Sequence, residues 1–224
     1  MAITEVQRGD ETTDTATSVI TLSGGVSTGN RAVVLLYYDN GPNAIASSAV
    51  DSKGNTWAIN VTTTDGSRAC SIVSAQVTSA LAASDTITVT WTSAPYGQRI
   101  WLVHSVPSTG ALNQTAADST TYGTTVSLPA TTTATAHLIG ILANNQPSTY
   151  SGSNWTAGTV YIGRAGDKVY PVYTESAAAG SQNPGGTLSP AGSQFNAWAG
   201  YAVGSVAPLT LVIDEPDRSG ALII

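Results

Sequence analysis

Charge is what this sequence has least of: Asp, Glu, Lys and Arg together make up 10% of its 224 residues, and the formal net charge is −6. Lys53 and Lys168 are its only lysines. A nucleic-acid-binding protein needs a positive face to neutralise phosphates, so that class is disfavoured. Glu and Lys are also too scarce to fill the flanking positions of a coiled coil. Cys70 is the single cysteine, which removes any disulfide framework or multi-thiolate metal site. With only His104 and His137 beside it, few soft ligands remain for zinc, and no metal or cofactor is expected. Long apolar runs are missing too. The longest, such as 32–38, are strand-sized against the about 18 residues a membrane helix needs, so no membrane partner is expected. Met1-Ala2-Ile3-Thr4-Glu5 carries neither the positive nor the apolar region of a secretory signal. The chain is therefore expected to stay in the cytoplasm where it is made, or to leave by lysis or a dedicated route.

What is present is a 42% apolar content, enough to bury a core, and a wealth of Ser, Thr, Gly and Ala where an ordinary cytosolic enzyme carries Lys and Glu. Threonine is β-branched and polar, and suits a solvent-facing sheet surface. Gly (22) and Pro (10) interrupt the chain at short intervals and leave little room for long helices. Residues 86–92 (TITVTWT) alternate without a fault, placing Ile87, Val89 and Trp91 on one face of a strand. Residues 31–39, 99–106 and 136–143 are largely apolar runs bounded by turn residues, as expected of strands covered on both faces. Further candidates lie at 3–8, 18–22, 56–61, 69–76, 124–128, 159–163, 168–174, 195–203 and 208–213. The segments 78–83 and 177–179 are read as loops. About a dozen short strands at this spacing predict an all-β, antiparallel β-sandwich, jelly-roll-like, with the first and last strands available to pair in one sheet. One domain is expected over 1–213. Residues 214–224 turn acidic and then close on Ala221, Leu222, Ile223 and Ile224, an extension whose apolar end is expected to dock on a neighbouring subunit.

Chemistry is sparse. Residues 24–31 (GGVSTGNR) space two glycines like a phosphate loop, but Asn30 stands where the lysine belongs and a strand follows, so a hairpin turn is the better account. His104 and His137 fall in strands, where hydrogen-bonded packing explains them. There is no G-x-S-x-G elbow to present a serine. Most carboxylates sit in turns, as in Asp39-Asn40-Gly41, Asp51-Ser52-Lys53-Gly54-Asn55 and Asp65-Gly66, and Glu175, after a strand, is the least easily dismissed. No catalytic residue is assigned, and Glu175 is the one to mutate should turnover be found. Calcium can be built from loop carboxylates without a local motif, and Asp39, Asp51 and Asp65 are the candidates, with turn duty the stronger explanation for each. Trp57, Trp91, Trp101 and Trp198 read as core. Tyr150, Trp155 and Tyr161, interleaved with Ser, Gly and Asn, look more exposed and could stack against a sugar ring or a subunit.

Several blocks in succession carry a resemblance: 50–57 (VDSKGNTW), 85–91 (DTITVTW), 124–128 (TTVSL) before 136–145, then 177–180 (AAAG) and 197–200 (AWAG). Over roughly 31–206 their order resembles the Thr/Gly/Ala-rich β-sandwich structural proteins of tailed bacteriophages, also seen in some bacterial surface proteins. That likeness implies a non-enzymatic virion component, assembled in the host cytoplasm, that decorates the capsid or forms a minor part of the tail. Its expected partners are other virion proteins and copies of itself. The alternative is a carbohydrate-binding module or adhesin that recognises a host cell-surface glycan through Tyr150, Trp155 and Tyr161.

Overall fold

The computed structural model describes residues 2–12, 15–38, 44–94, 97–152, 155–163 and 167–204. They form seventeen strands, numbered here in chain order, all paired antiparallel and without a helix among them. The central sheet runs β1 (Thr4–Glu11), β8 (Arg99–Val106), β3 (Arg31–Tyr38), β6 (Ala69–Gln76), β5 (Trp57–Thr64). Against one of its faces lies a three-stranded sheet, β2 (Thr17–Thr21), β7 (Thr86–Trp91), β4 (Ala46–Asp51). Against the other lies a seven-stranded sheet. Its main path is β12 (Thr149–Gly152), β17 (Gly186–Ala202), β11 (Ala136–Asn144), β15 (Lys168–Ala177) and β13 (Thr156–Ala157). β9 (Leu112–Val126) is added along β17, and β14 (Tyr161–Ile162) along β15. β10 (Ala130–Thr132) and β16 (Gly180–Gln182) make a small separate ladder.

The antiparallel β-sandwich expected from the sequence is what the structure shows, but as three stacked layers rather than the two sheets of a jelly roll. The strand periodicity explains the stacking. On β3, Ala32, Val34, Leu36 and Tyr38 enter the core shared with the three-stranded sheet, where they meet Ile20, Ile87, Val89 and Trp91. Val33, Leu35 and Tyr37 point the other way, into a second core with Ile139, Ile141, Phe195, Ala197 and Tyr201 of the seven-stranded sheet. Successive side chains leave opposite faces of a strand, so a strand with a layer on each side must be apolar at every position. A third core, on the far face of the seven-stranded sheet, gathers Val126, Leu128, Leu138, Trp155, Leu188 and Trp198. Each fully buried Leu, Ile, Val or Phe in these layers contributes about 1.5–3 kcal/mol.

Two expectations change. Strands are more numerous than a dozen, and two of them are long, β9 with 15 residues and β17 with 17. Ala46–Asp51 and most of Leu112–Val126 give no strand signal, because small and polar residues fill them; β9 is a strand through its ladder with β17. β1 lies on β8, and β17 lies between β9 and β11; the expected last strand, 208–213, is outside the described residues. The boundary at 213/214 and the apolar end Leu222, Ile223, Ile224 lie outside them too. The segments 78–83 and 177–179 hold no helix.

Candidate functional site

The aromatic trio comes first, since a stacking platform needs its rings on one open face. Trp155 is only 7% exposed and packs edge-on against the fully buried Trp198, with ring centroids 5.6 Å apart at 70°. Tyr150, half-buried, leans on Tyr170 at 5.7 Å and donates to the Pro184 carbonyl at 3.2 Å. Both belong to the outermost core. Tyr161 packs instead against the core between the central and seven-stranded sheets, and its hydroxyl donates to Asp10 Oδ1 at 2.5 Å, tying β14 to β1. The three rings are therefore divided between opposite faces of one sheet and turned inward. This corrects the expectation of an exposed cluster. The Gly, Ser and Asn interleaved with these rings are the sequence pattern of an exposed loop, and it does not report which way the rings turn.

The motif at Asp51 is a hydrogen-bonded knot. Asp51 Oδ1 accepts from the backbone N–H of Lys53 at 2.8 Å and of Asn55 at 3.2 Å, while Oδ2 accepts from Asn55 Nδ2 at 3.0 Å and Trp57 Nε1 at 2.8 Å. Gly54, at φ +76°, supplies the left-handed residue that the turn requires. Asn55 is 6% exposed, and its Oδ1 accepts from the N–H groups of Thr78 and Ser79, both at 2.9 Å. Beside it, Ser52 Oγ donates to Asp85 Oδ1 at 2.8 Å and Lys53 Nζ pairs with the same oxygen at 3.1 Å. The Ala82 backbone N–H and the Ser52 hydroxyl hold the Asp85 carboxyl below its ordinary range. Two blocks that look separate in sequence, 50–57 and 85–91, are thus one joint between the outer and central layers. The later blocks behave alike, for Trp198 Nε1 donates to the Leu128 carbonyl at 2.8 Å, and Thr132 Oγ1 reaches the Gly180 carbonyl at 3.3 Å.

The calcium candidates separate in the same way. Both oxygens of Asp51 face protein donors, and Asp65 Oδ1 accepts from the N–H groups of Ser67 and Arg68, both at 2.8 Å, an ordinary Asx turn. Asp39 lies outside the described residues. Among the described residues no three His, Cys, Asp or Glu side chains converge to hold a metal ion.

The histidines are packed into the frame. His104 is 2% exposed, with Nε2 3.8 Å from Glu5 Oε2, and burial pushes its pKa down to about 4. His137 Nδ1 accepts from the Ser176 N–H at 3.3 Å; burial lowers its pKa, with Glu175 working against the shift. Glu175 Oε1 accepts from the Ile3 N–H at 2.7 Å and so fastens the start of the chain to β15. Burial drives the Cys70 thiol well above its ordinary range, leaving it protonated and unreactive. The glycine pair of residues 24–31 closes a turn in which the Asn30 N–H donates to the Ser27 carbonyl at 3.1 Å, with Gly29 at φ +89°. A concavity of about 320 Å³ beside it is lined by Thr28, Gly29, Asn30, Pro107, Thr109 and Val203, with no charged side chain in its lining.

Two further surfaces stand out among the described residues. The outward face of the three-stranded sheet carries Val19 and Val50, 55% and 59% exposed, on either side of Thr88, with Thr17, Thr21, Thr86 and Thr90 around them. β9 forms an edge of the seven-stranded sheet, paired with β17 alone among the described strands. Sequence reading missed both, because neither holds a residue type that signals chemistry. The alternation in residues 86–92 was the one cue to the first.

No family model, no curated protein and no solved structure matches this chain.

Proposed function

We propose that this protein is a non-enzymatic structural component of a tailed-bacteriophage particle, decorating the capsid or forming a minor part of the tail. The observation that carries the reading is the use made of its polar chemistry: Asp51, Asn55, His104, His137 and Glu175 each bind a strand or loop of the same chain. The outward face of the three-stranded sheet is uncharged, carrying Thr and Val, and is suited to abutting other subunits. The succession of blocks in the sequence supports the same reading, since each block fixes a joint between strands.

The action of such a subunit is mechanical: contacts with its neighbours bury further area and so resist internal pressure or shear. The apolar end at Leu222, Ile223 and Ile224 is one proposed contact. Particles imaged with and without the protein provide the test, with discrete added density on the capsid or tail as the expected result. Deleting 214–224 is expected to lower occupancy of those positions; undiminished occupancy would remove the tail from the account. A glycan-binding reading would need a surface other than Tyr150, Trp155 and Tyr161, because Trp155 supports Trp198 from beneath.

A further inference from the structure

We infer that the far face of the seven-stranded sheet holds an internal water-binding site, in which a water accepts from Asn144 Nδ2 and donates to Asn196 Oδ1. The inference stands apart from the virion reading, since it concerns the inside of one subunit.

The register of β11 and β17 places the residues. Leu142 lies opposite Asn196, and Asn144 lies opposite Gln194. Leu142 and Trp198 belong to the outermost core, and alternation carries Asn144, Gln194 and Asn196 to the same face. That face is apolar at Leu138, Leu142 and Trp198 and turns polar beyond them, yet Asn144 and Gln194 are 0% exposed and Asn196 2%. Buried polar side-chain atoms nearly always have a hydrogen-bond partner. Among the described residues, Asn144 Nδ2 and Asn196 Oδ1 have none. The two residues are diagonal neighbours across the ladder, about 7–8 Å apart at Cα. Between their side chains a water reaches both with hydrogen bonds of about 2.8 Å each.

The orientation of each amide is fixed from outside the site, and this selects the occupant. Asn144 Oδ1 accepts from the Gln146 backbone N–H at 2.8 Å, so Nδ2 is the group it has to offer. Gln194 Nε2 donates to the Gly123 carbonyl at 2.6 Å, and its Oε1 accepts from Asn196 Nδ2 at 3.3 Å. Asn196 is left offering Oδ1. One donor and one acceptor are therefore presented together. The Asn144 amino group opposes a cation and the Asn196 carbonyl oxygen opposes an anion, whereas water both accepts and donates. A third fully buried atom without a partner, Ser148 Oγ, lies at the same end of the sheet. Tyr170, opposite Leu142 on β15, donates to the Ser148 carbonyl at 2.5 Å and brings it there. The Ser148 hydroxyl rotates, and it completes the bonds of a buried water as donor or as acceptor. At Gly192 a Cβ would collide with Asn144 Oδ1, so the backbone of β17 lies directly against this amide.

The test is a crystal structure of the full chain at a resolution that shows ordered water. Density within hydrogen-bonding distance of both Asn144 Nδ2 and Asn196 Oδ1 is expected. A direct bond between the two amides, an empty gap between them, or an ion at metal-coordination distances overturns the inference. Asn196→Leu gives a second reading in solution. Where water serves both amides, the apolar side chain expels it and strands Asn144 Nδ2, and the melting temperature falls. Where no water is held, the substitution removes a buried atom that had no partner; a melting temperature that stays level or rises overturns the inference. The parental structure decides the question even where this variant fails to fold.

Discussion

β3 and β7 are both antiparallel strands in adjacent layers, yet they read as different languages. β3 is RAVVLLYY, apolar at every position after the first, and β7 is TITVTW, alternating throughout. Continuous apolar runs are usually associated with parallel sheets, because helices cover both faces there. Here other antiparallel sheets do the covering, one on each side of β3, whereas the outer side of β7 meets solvent. The run therefore reports the number of layers around a strand and says nothing about the direction of its neighbours.

The sharpest way to break that comparison is to place a charge in each strand. Leu35→Asp puts a carboxylate between two layers and is expected to cost more than about 4 kcal/mol, enough to prevent folding. Thr88→Asp, on the outward face of β7, is the matched control, with a change within about 0.5 kcal/mol. Comparable losses in urea denaturation would sink the three-layer account.

The seven-stranded layer extends the comparison outward. Trp155→Ala is expected to cost about 3–5 kcal/mol, because it empties the space against Trp198. A surface-exposed stacking ring would instead be lost with little change in stability, so the melting curve alone separates the two placements.

The joint at Asp51 comes next in size. Asp51→Ala leaves Trp57 Nε1 without its acceptor and Asn55 Nδ2 with only the Ser79 carbonyl, at a cost of about 1–3 kcal/mol. Because the joint connects β4 to β5, hydrogen exchange should quicken in β2, β4 and β7 before it does in β3 and β8. Uniform acceleration would mean that the layers open together.

The last expected effect is absent at neutral pH and appears only in acid. His104 has a folded pKa of about 4, below its ordinary value of 6.5 because of burial, so the unfolded chain binds the proton more readily. Its contribution to stability is complete above about pH 6.5 and is lost as pH falls towards 4. In a His104→Gln variant the pH dependence over this window should be flatter. An unchanged slope would assign the acid sensitivity to other groups.

Much of the fold was legible because strands advertise themselves through large side chains. The apolar runs of β3, β8 and β11, the alternation of β7, and the burial of Trp91, Trp101 and Trp198 all follow from which faces are covered. Turn chemistry was legible for the same local reason, since Asp51, Gly54 and Asp65 act within a few residues of themselves. β9 was not legible. Its Ala, Thr, Ser and Gly residues are compatible with a loop, and only the partner strand, about 60 to 90 residues later in the chain, makes it a strand. The aromatic trio was misplaced because ring exposure is not a local property: Trp155 is hidden by Trp198 and Tyr161 is drawn in by Asp10, residues distant in sequence.

By itself, then, the sequence determined the class of element and the position of its turns, which depend on propensity and on contacts a few residues apart. Tertiary structure decided how many layers enclose each strand, which aromatic rings reach solvent, and which edge remains unpaired. Each of these depends on the approach of segments far apart in the chain, and no local pattern encodes that approach.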